Sequence, residues 1–163
     1  VSLSTPPTTS INETSSALLA SRKRASDFSF EVTLRTLEQL RQGNNPNNWE
    51  VGWIFFRYTD PANFYWVLLK TNGYELGKKQ GSYDQSYDTY GNQIFLVNTD
   101  EPDFPINQNY RIKVLAKGGN INVFVNGQEL LNYIDSNPLP SGSFCLYEED
   151  SHVHFDDVLV TTY

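Results

Sequence analysis

Four groups of side chains in this sequence have the types and spacing to do chemistry. In the segment Val51–Tyr58, Trp53, Phe55 and Arg57 alternate with Ile54, Phe56 and Tyr58. In an extended strand successive side chains point to opposite faces, so one set faces a core and the other faces outward. The Ile/Phe/Tyr set is the more natural core. Trp53 and Arg57 are then expected on an outward face, joined across the Asp60–Asn63 turn by Phe64, Trp66 and Lys70, with Glu31 and Arg35 nearby. Indole rings flanked by Arg and Lys donors are what a sugar's C–H face and hydroxyl or carboxylate groups need. Burial of either Trp in the core is the competing expectation. Lys70, Lys78, Lys79, Arg35 and Arg57 form either a basic strip suited to an acidic polysaccharide or a set of edge-protecting charges.

The second group is the segment after Gly81, where Tyr83, Tyr87 and Tyr90 mix with Asp84 and Asp88 in the manner of a binding loop. The third is His152 and His154, two apart and therefore on one face of a strand. They suit a metal or a general base, and with Arg57 and a tyrosine such as Tyr65 they would make the site of a lyase. No third ligand stands at zinc spacing from them. The fourth is Asp156-Asp157 in an apolar terminal segment, where an inward carboxylate requires a partner or a cation. The run Glu148-Glu149-Asp150 reads instead as a solvated loop, because consecutive side chains diverge.

The elements that must position these groups are short and extended. Alternation is clearest over Phe28–Arg35, and further strands are expected at Ala17–Lys23, Val51–Tyr58, Phe64–Thr71, Tyr74–Lys79, Gln93–Asn98, Tyr110–Ala116, Ile121–Asn126, Ser143–Tyr147 and Val153–Thr161. Asp60-Pro61-Ala62-Asn63, Asn72-Gly73, Gly118-Gly119 and Asn126-Gly127 supply turn chemistry between them. Thr36 to Gln42 has leucines three apart but is too short for an independent helix, so a loop with one turn is expected. The pattern predicts an all-β chain, a two-sheet antiparallel sandwich of the jelly-roll type. Residues 1–15, rich in Ser, Thr and Pro, read as a linker or leading arm, with the sandwich at 16–163 and a larger parent protein expected. The long connections 81–92 and 99–109 are natural places for binding residues.

Composition sets the outer limits. The 163 residues suit one domain; 14% aromatic and 19% charged residues exclude general disorder. Twelve Lys+Arg against nineteen Asp+Glu leave −7, which argues against nucleic acid as a partner. No apolar run approaches the ~20 residues of a membrane helix, so no membrane span is expected. Cys145, the one cysteine, sits in SFCLY and reads as a buried, inert thiol.

The stretches WEVGWIFFRYTDPANFYWVLLKTNGYELGK, NYRIKVLAKGGNINVFVNGQEL and SGSFCLYEEDSHVHFDDVLV, in that order, resemble the concanavalin A-like lectin/glucanase superfamily. The likeness is to its laminin-G-like modules and keto-disaccharide-hydrolase-type domains in particular, and it runs from about Asp27 to the C-terminus. It implies one convex and one concave sheet, with sugar bound across the concave face or at its loop rim. It also implies a structural calcium near Asp156 and Asp157, with Glu13 or Asp27 as candidate partners. The superfamily contains binding modules, hydrolases and lyases, so function rests on the site. The Glu-x-Asp-x-x-Glu and Glu-x-Asp-x-Glu spacings of its glucanases, which put two carboxylates on one strand face, are missing from the sequence. The expectation is a non-catalytic, extracellular or secreted carbohydrate-binding module that contacts a polysaccharide through Arg35, Trp53, Arg57, Trp66, Lys70, Tyr83, Tyr87, His152 and His154. The alternatives are a small polysaccharide lyase or glycoside hydrolase and an adhesion or matrix module.

Overall fold

A computed structural model describes residues 1–82 and 92–163. The described chain is a sandwich of two six-stranded sheets. The first has the order β1 (Ser2–Ser4), β12 (Ser151–Thr162), β3 (Phe28–Gln39), β8 (Tyr110–Lys117), β9 (Asn120–Val125), β10 (Gln128–Ile134). The second has the order β2 (Ser16–Ala25), β11 (Gly142–Glu149), β4 (Gly52–Asp60), β5 (Asn63–Lys70), β6 (Gly73–Lys79), β7 (Gln93–Asn98). All pairings are antiparallel. This is the all-β, two-sheet jelly-roll class the alternation predicts.

Each strand expected from the sequence is present, and the departures have local causes. Thr36–Gln39 continues β3 rather than turning, because β12 pairs with it through Thr36↔Val153 and Gln39↔Ser151, and the Thr36 hydroxyl accepts the Gly52 amide at 3.0 Å. Strand β10 escapes the period-two test because a bulge between Glu129 and Leu131 breaks its alternation. The leading segment is not separate from the sandwich. Ser2–Ser4 pairs with β12, and Thr8 is buried with its hydroxyl donating to Asp150 at 2.8 Å.

Ile54, Phe56, Tyr65, Val67, Phe144 and Leu146 of the second sheet face Phe28, Phe30, Val32, Ile112, Val114 and Phe155 of the first. The opposite face of the second sheet is also apolar. Val51, Trp53, Phe55, Phe64, Trp66, Leu68 and Cys145 form a second cluster there, closed at its margins by Tyr58, Ile106 and Tyr147. Trp66 lies across Gly77, where a Cβ would stand 2.0 Å from the indole. Glycine is therefore the residue that lets the ring lie flat on the sheet.

One kink in β4 reverses the expected alternation. Arg57 has φ 50°, and the register with β5 shifts between Phe56 and Asp60. The bulge turns Arg57 inward and Tyr58 outward, opposite to their expected faces. The Arg57 guanidinium, 2% exposed, donates to the carbonyls of Ser26, Leu139 and Gly118 at 2.6–3.1 Å and lies over the Tyr65 ring. It locks three connections together at one end of the sandwich. Burial lowers its pKa from the usual arginine value, opposed by the Tyr65 and Asp27 oxygens. Arg57→Ala would leave those carbonyls unpaired in a desolvated site and should cost about 2–4 kcal/mol, measured by chemical denaturation. A loss below about 0.5 kcal/mol would show that this anchor is not structural.

Candidate functional site

The residues singled out in the sequence are divided among three places. Arg35, His152 and His154 lie on the outward face of the first sheet, where His154 pairs with Arg35 and the two imidazoles stand 5.3 Å apart. His152 shares a hydrogen bond of 2.9 Å with the Ser2 hydroxyl. Arg57 and Tyr65 lie between the sheets, with Tyr65 donating to Asp135 at 2.5 Å and Lys78 meeting the same carboxylate at 2.7 Å. His154, Arg57 and Tyr65 are therefore not assembled into one centre. Lys70, Trp53 and Trp66 lie on the outward face of the second sheet. The basic strip is likewise dispersed: Lys78 points inward and Lys79 sits over the Phe64 ring. Tyr83 and Tyr87, with Asp84, Asp88 and Tyr90, lie outside the described residues.

Asp156 and Asp157 lie in the second half of β12. Both are exposed; Asp157 accepts the Thr33 hydroxyl at 3.1 Å, and its own amide donates to Asp156. Asp27 instead accepts the Gly118 amide, and the Glu13 carbonyl accepts from Arg41. Among the described residues no group of three or more His, Cys, Asp or Glu could hold a metal ion.

The outward face of the second sheet carries two adjoining cavities. The larger, 470 Å³, is lined by Trp49, Trp53, Lys70, Glu75, Phe95, Asn98 and Glu149 among others. The smaller, 230 Å³, is lined chiefly by Trp53, Phe55, Tyr58, Phe64, Trp66 and Tyr147. Trp53, Gln93 and Glu149 border both. Trp66 is fully buried and Trp53 is 6% exposed, so neither is the open platform expected of it. The open rings are Trp49 and Phe95, 46% and 50% exposed. Sequence reasoning missed both, although a lone tryptophan in the polar run GNNPNNWE was a usable signal.

Charged groups are held in fixed positions around this groove. The Lys70 ammonium donates to Asn98 at 2.7 Å and meets Glu75 at 3.4 Å, while Glu75 also accepts the Trp66 indole N–H. Arg41, buried behind the larger cavity, binds Glu50 at 2.6 Å and Asp150 at 2.9 Å and takes the carbonyls of Ser10 and Glu13. Asn47 donates to Glu50 at 2.7 Å. This cluster ties the leading segment and residues 47–50, including Trp49, to the end of the groove. Glu148, Glu149 and Asp150 are thus all buried, not a solvated loop: β11 carries the first two, and Asp150, at φ 42°, turns into the Arg41 cluster. The alternation rule placed the side chains correctly on opposite faces; it could not show that both faces are covered.

Glu149 stands out chemically. Desolvation pushes its carboxyl up to about 7, against the hydrogen bond from the Tyr147 hydroxyl at 3.0 Å, and the nearby Asp150, Glu50 and Glu148 add to the rise. It is a group that changes protonation near neutrality at the seam of two cavities. Cys145, by contrast, is fully buried with its thiol pushed up to about 12 by desolvation, an inert packing residue.

A jelly-roll sandwich with a ring-lined groove on one sheet places the chain among the concanavalin A-like lectin/glucanase-type modules. Within that class the chain belongs to the 3-keto-alpha-glucoside-1,2-lyase-like domain family, whose profile matches residues 5–161. Solved structures with the same fold include the carbohydrate-binding module CBM66 from Bacillus subtilis, 19% identical over 89% of this chain and 81% of that one, with a TM-score of 0.70. A galectin from Caenorhabditis elegans is 15% identical over 89% of each chain, with a TM-score of 0.56. A putative glycosyl hydrolase from Parabacteroides distasonis is 13% identical over 91% of this chain and 84% of that one, with a TM-score of 0.60. No curated protein matches the sequence significantly. Among the described residues no helix is long and apolar enough to cross a membrane.

The Glu149 geometry makes a prediction about pH. A carboxyl whose folded pKa lies above its unfolded value binds the proton more tightly when folded, so its stabilising contribution is complete below about 4.5 and is lost as pH rises to about 7. Glu149→Gln should therefore be more stable than the parent at pH 8, by on the order of 1–3 kcal/mol, and nearly equal to it at pH 4. Paired urea titrations across that range measure the difference; a flat difference would show that the carboxyl titrates normally.

Proposed function

We propose that the chain binds carbohydrate in the groove on the outward face of the second sheet, with a sugar ring against Trp49 and Phe95 and its hydroxyls on Lys70, Glu75, Asn98 and Glu149. The observation that carries this reading is the larger cavity itself. Two exposed rings border a pocket whose polar side chains are already held by their own hydrogen bonds. Rings supply apolar contact with little entropy to lose, and prepositioned polar groups supply orientation. The folds of CBM66 and the galectin support the reading as analogy.

Affinity gels containing alginate, glucuronan, xylan or glucan, with the corresponding oligosaccharides as competitors, test this directly. Retardation on at least one polymer is expected. Trp49→Ala should abolish it while moving stability by less than about 1 kcal/mol, because the ring is half exposed. Retardation that survives this substitution unchanged would place the sugar elsewhere.

One observation favours a second reading, in which the groove also transforms its sugar. Glu149 lies in the cavity wall with a carboxyl near pKa 7, the property of a general acid or base at neutral pH. A 1,2-lyase, the activity for which the family is described, removes a proton at C2 and expels the group at C1, a reaction that needs such a base. Under this reading Glu149→Gln should lower turnover of a 3-keto-glucoside by at least about 100-fold while changing affinity by less than about threefold. Binding without any product release by the parent protein leaves a non-catalytic module.

A further inference from the structure

The two cavities differ in chemistry more than subsites of one polysaccharide should. The larger has Lys70, Glu75, Asn98, Asp100 and Glu149 on its walls. The smaller is walled chiefly by rings already packed on one another, together with Ser16, Lys79, Gln93 and Glu149: Phe55 stacks with Phe64 at 4.5 Å and with Tyr147 at 4.7 Å, and Tyr58 lies along Phe55 at 6.4 Å. A second sugar unit placed there would bring several hydroxyls against aromatic carbon, and burying a hydroxyl without a partner is costly. A flat apolar group would not meet that cost. The space, 230 Å³, suits one aromatic ring, since an apolar cavity of roughly 150 Å³ is known to take benzene. The walls need no rearrangement to receive it, because they are held by one another and by the sheet beneath.

We propose that the two cavities form one bipartite site for an aryl glycoside, with the sugar in the larger cavity, the aromatic aglycone in the smaller, and Glu149 facing the linkage between them. The proposal rests on the carbohydrate reading above and narrows its ligand class. Three features join the halves. Trp53 forms a wall of both cavities, Gln93 borders both, and the Glu149 carboxyl stands at the seam, where a glycosidic oxygen would lie within reach of a hydrogen bond. Leu18 of β2, 40% exposed, extends the apolar wall toward solvent, which gives the aglycone an open end.

Calorimetry with phenyl and methyl glycosides of glucose, galactose and glucuronic acid, with phenol and with cellobiose, tests the proposal. For at least one sugar the phenyl glycoside should bind about tenfold or more tightly than its methyl counterpart. Tyr58→Ala should remove most of that ratio and leave methyl-glycoside affinity within about twofold. Leu18→Lys, at an exposed position, should reduce the ratio in the same direction should Tyr58→Ala fail to fold. Equal affinities for phenyl and methyl glycosides overturn the bipartite site and leave the sugar cavity intact. Cellobiose binding as tightly as the phenyl glycoside also overturns it, because the smaller cavity then accepts a sugar. Phenol binding as tightly as phenyl glycosides, with no methyl glycoside bound, overturns both this proposal and the carbohydrate reading. No binding of any phenyl glycoside, with polymers still retarded in gels, overturns this proposal alone.

Discussion

The central strands β4 and β5 of the second sheet are apolar on both faces, and a sheet of that kind has to be covered twice. Its inward face is covered by the first sheet, as in any sandwich. Its outward face has no third layer of secondary structure among the described residues, so its own aromatic side chains lie down across the strands to cover it. Trp66 over Gly77, Phe55 against Phe64, and Tyr147 against Trp53 are the result. The groove arises where this self-covering stops: over the gap between Trp49 and Phe95, and between Tyr58 and Tyr147. A ring-lined groove thus follows from the same hydrophobic constraint that stabilises the sheet.

The charges obey a parallel rule. A buried ion is tolerated when it is paired or fully hydrogen-bonded. Arg57 meets this through three backbone carbonyls, Lys78 through Asp135, and Arg41 through Glu50 and Asp150. Burial alone would raise the Asp135 carboxyl, but the hydrogen bonds from Lys78 and Tyr65 hold it below its usual value. At the Arg41 end one cation serves several carboxylates. Desolvation raises the Glu149 carboxyl, and the hydrogen bond from the neutral Tyr147 phenol offsets that rise only in part. The structural need to order residues 8–15 and 47–50 around Arg41 thereby leaves a titratable acid facing the groove.

Family membership and fold are compatible with recognition and with catalysis alike, and the groove sets rings and fixed polar groups beside a carboxyl that titrates near neutrality. Unlike a glucanase strand, which sets two acids on one face a residue apart, this sheet sets single acids on separate strands, Glu75 on β6 and Glu149 on β11. Whatever chemistry the groove performs is therefore organised across the sheet, by strand order, and not along one strand.

The strands, the turns between them, the sandwich class and the inward set Ile54 and Phe56 were legible from alternation alone, because side-chain direction in an extended chain is a local property. The family resemblance was legible too, since it rests on the order of local segments. Arg57 and Tyr58 were not: one residue at positive φ inverts every assignment after it, and a bulge depends on the partner strands. Trp66 and Trp53 could be placed on the outward face but not declared buried, because their cover comes from β6, β7 and β11. The burial of Glu148, Glu149 and Asp150 was equally hidden, being set by Thr8, Arg41 and Tyr147, which the sequence scatters from position 8 to position 147. Side-chain direction follows from the backbone next door, whereas exposure and acidity depend on what distant segments bring against a group, and only the assembled fold decides that.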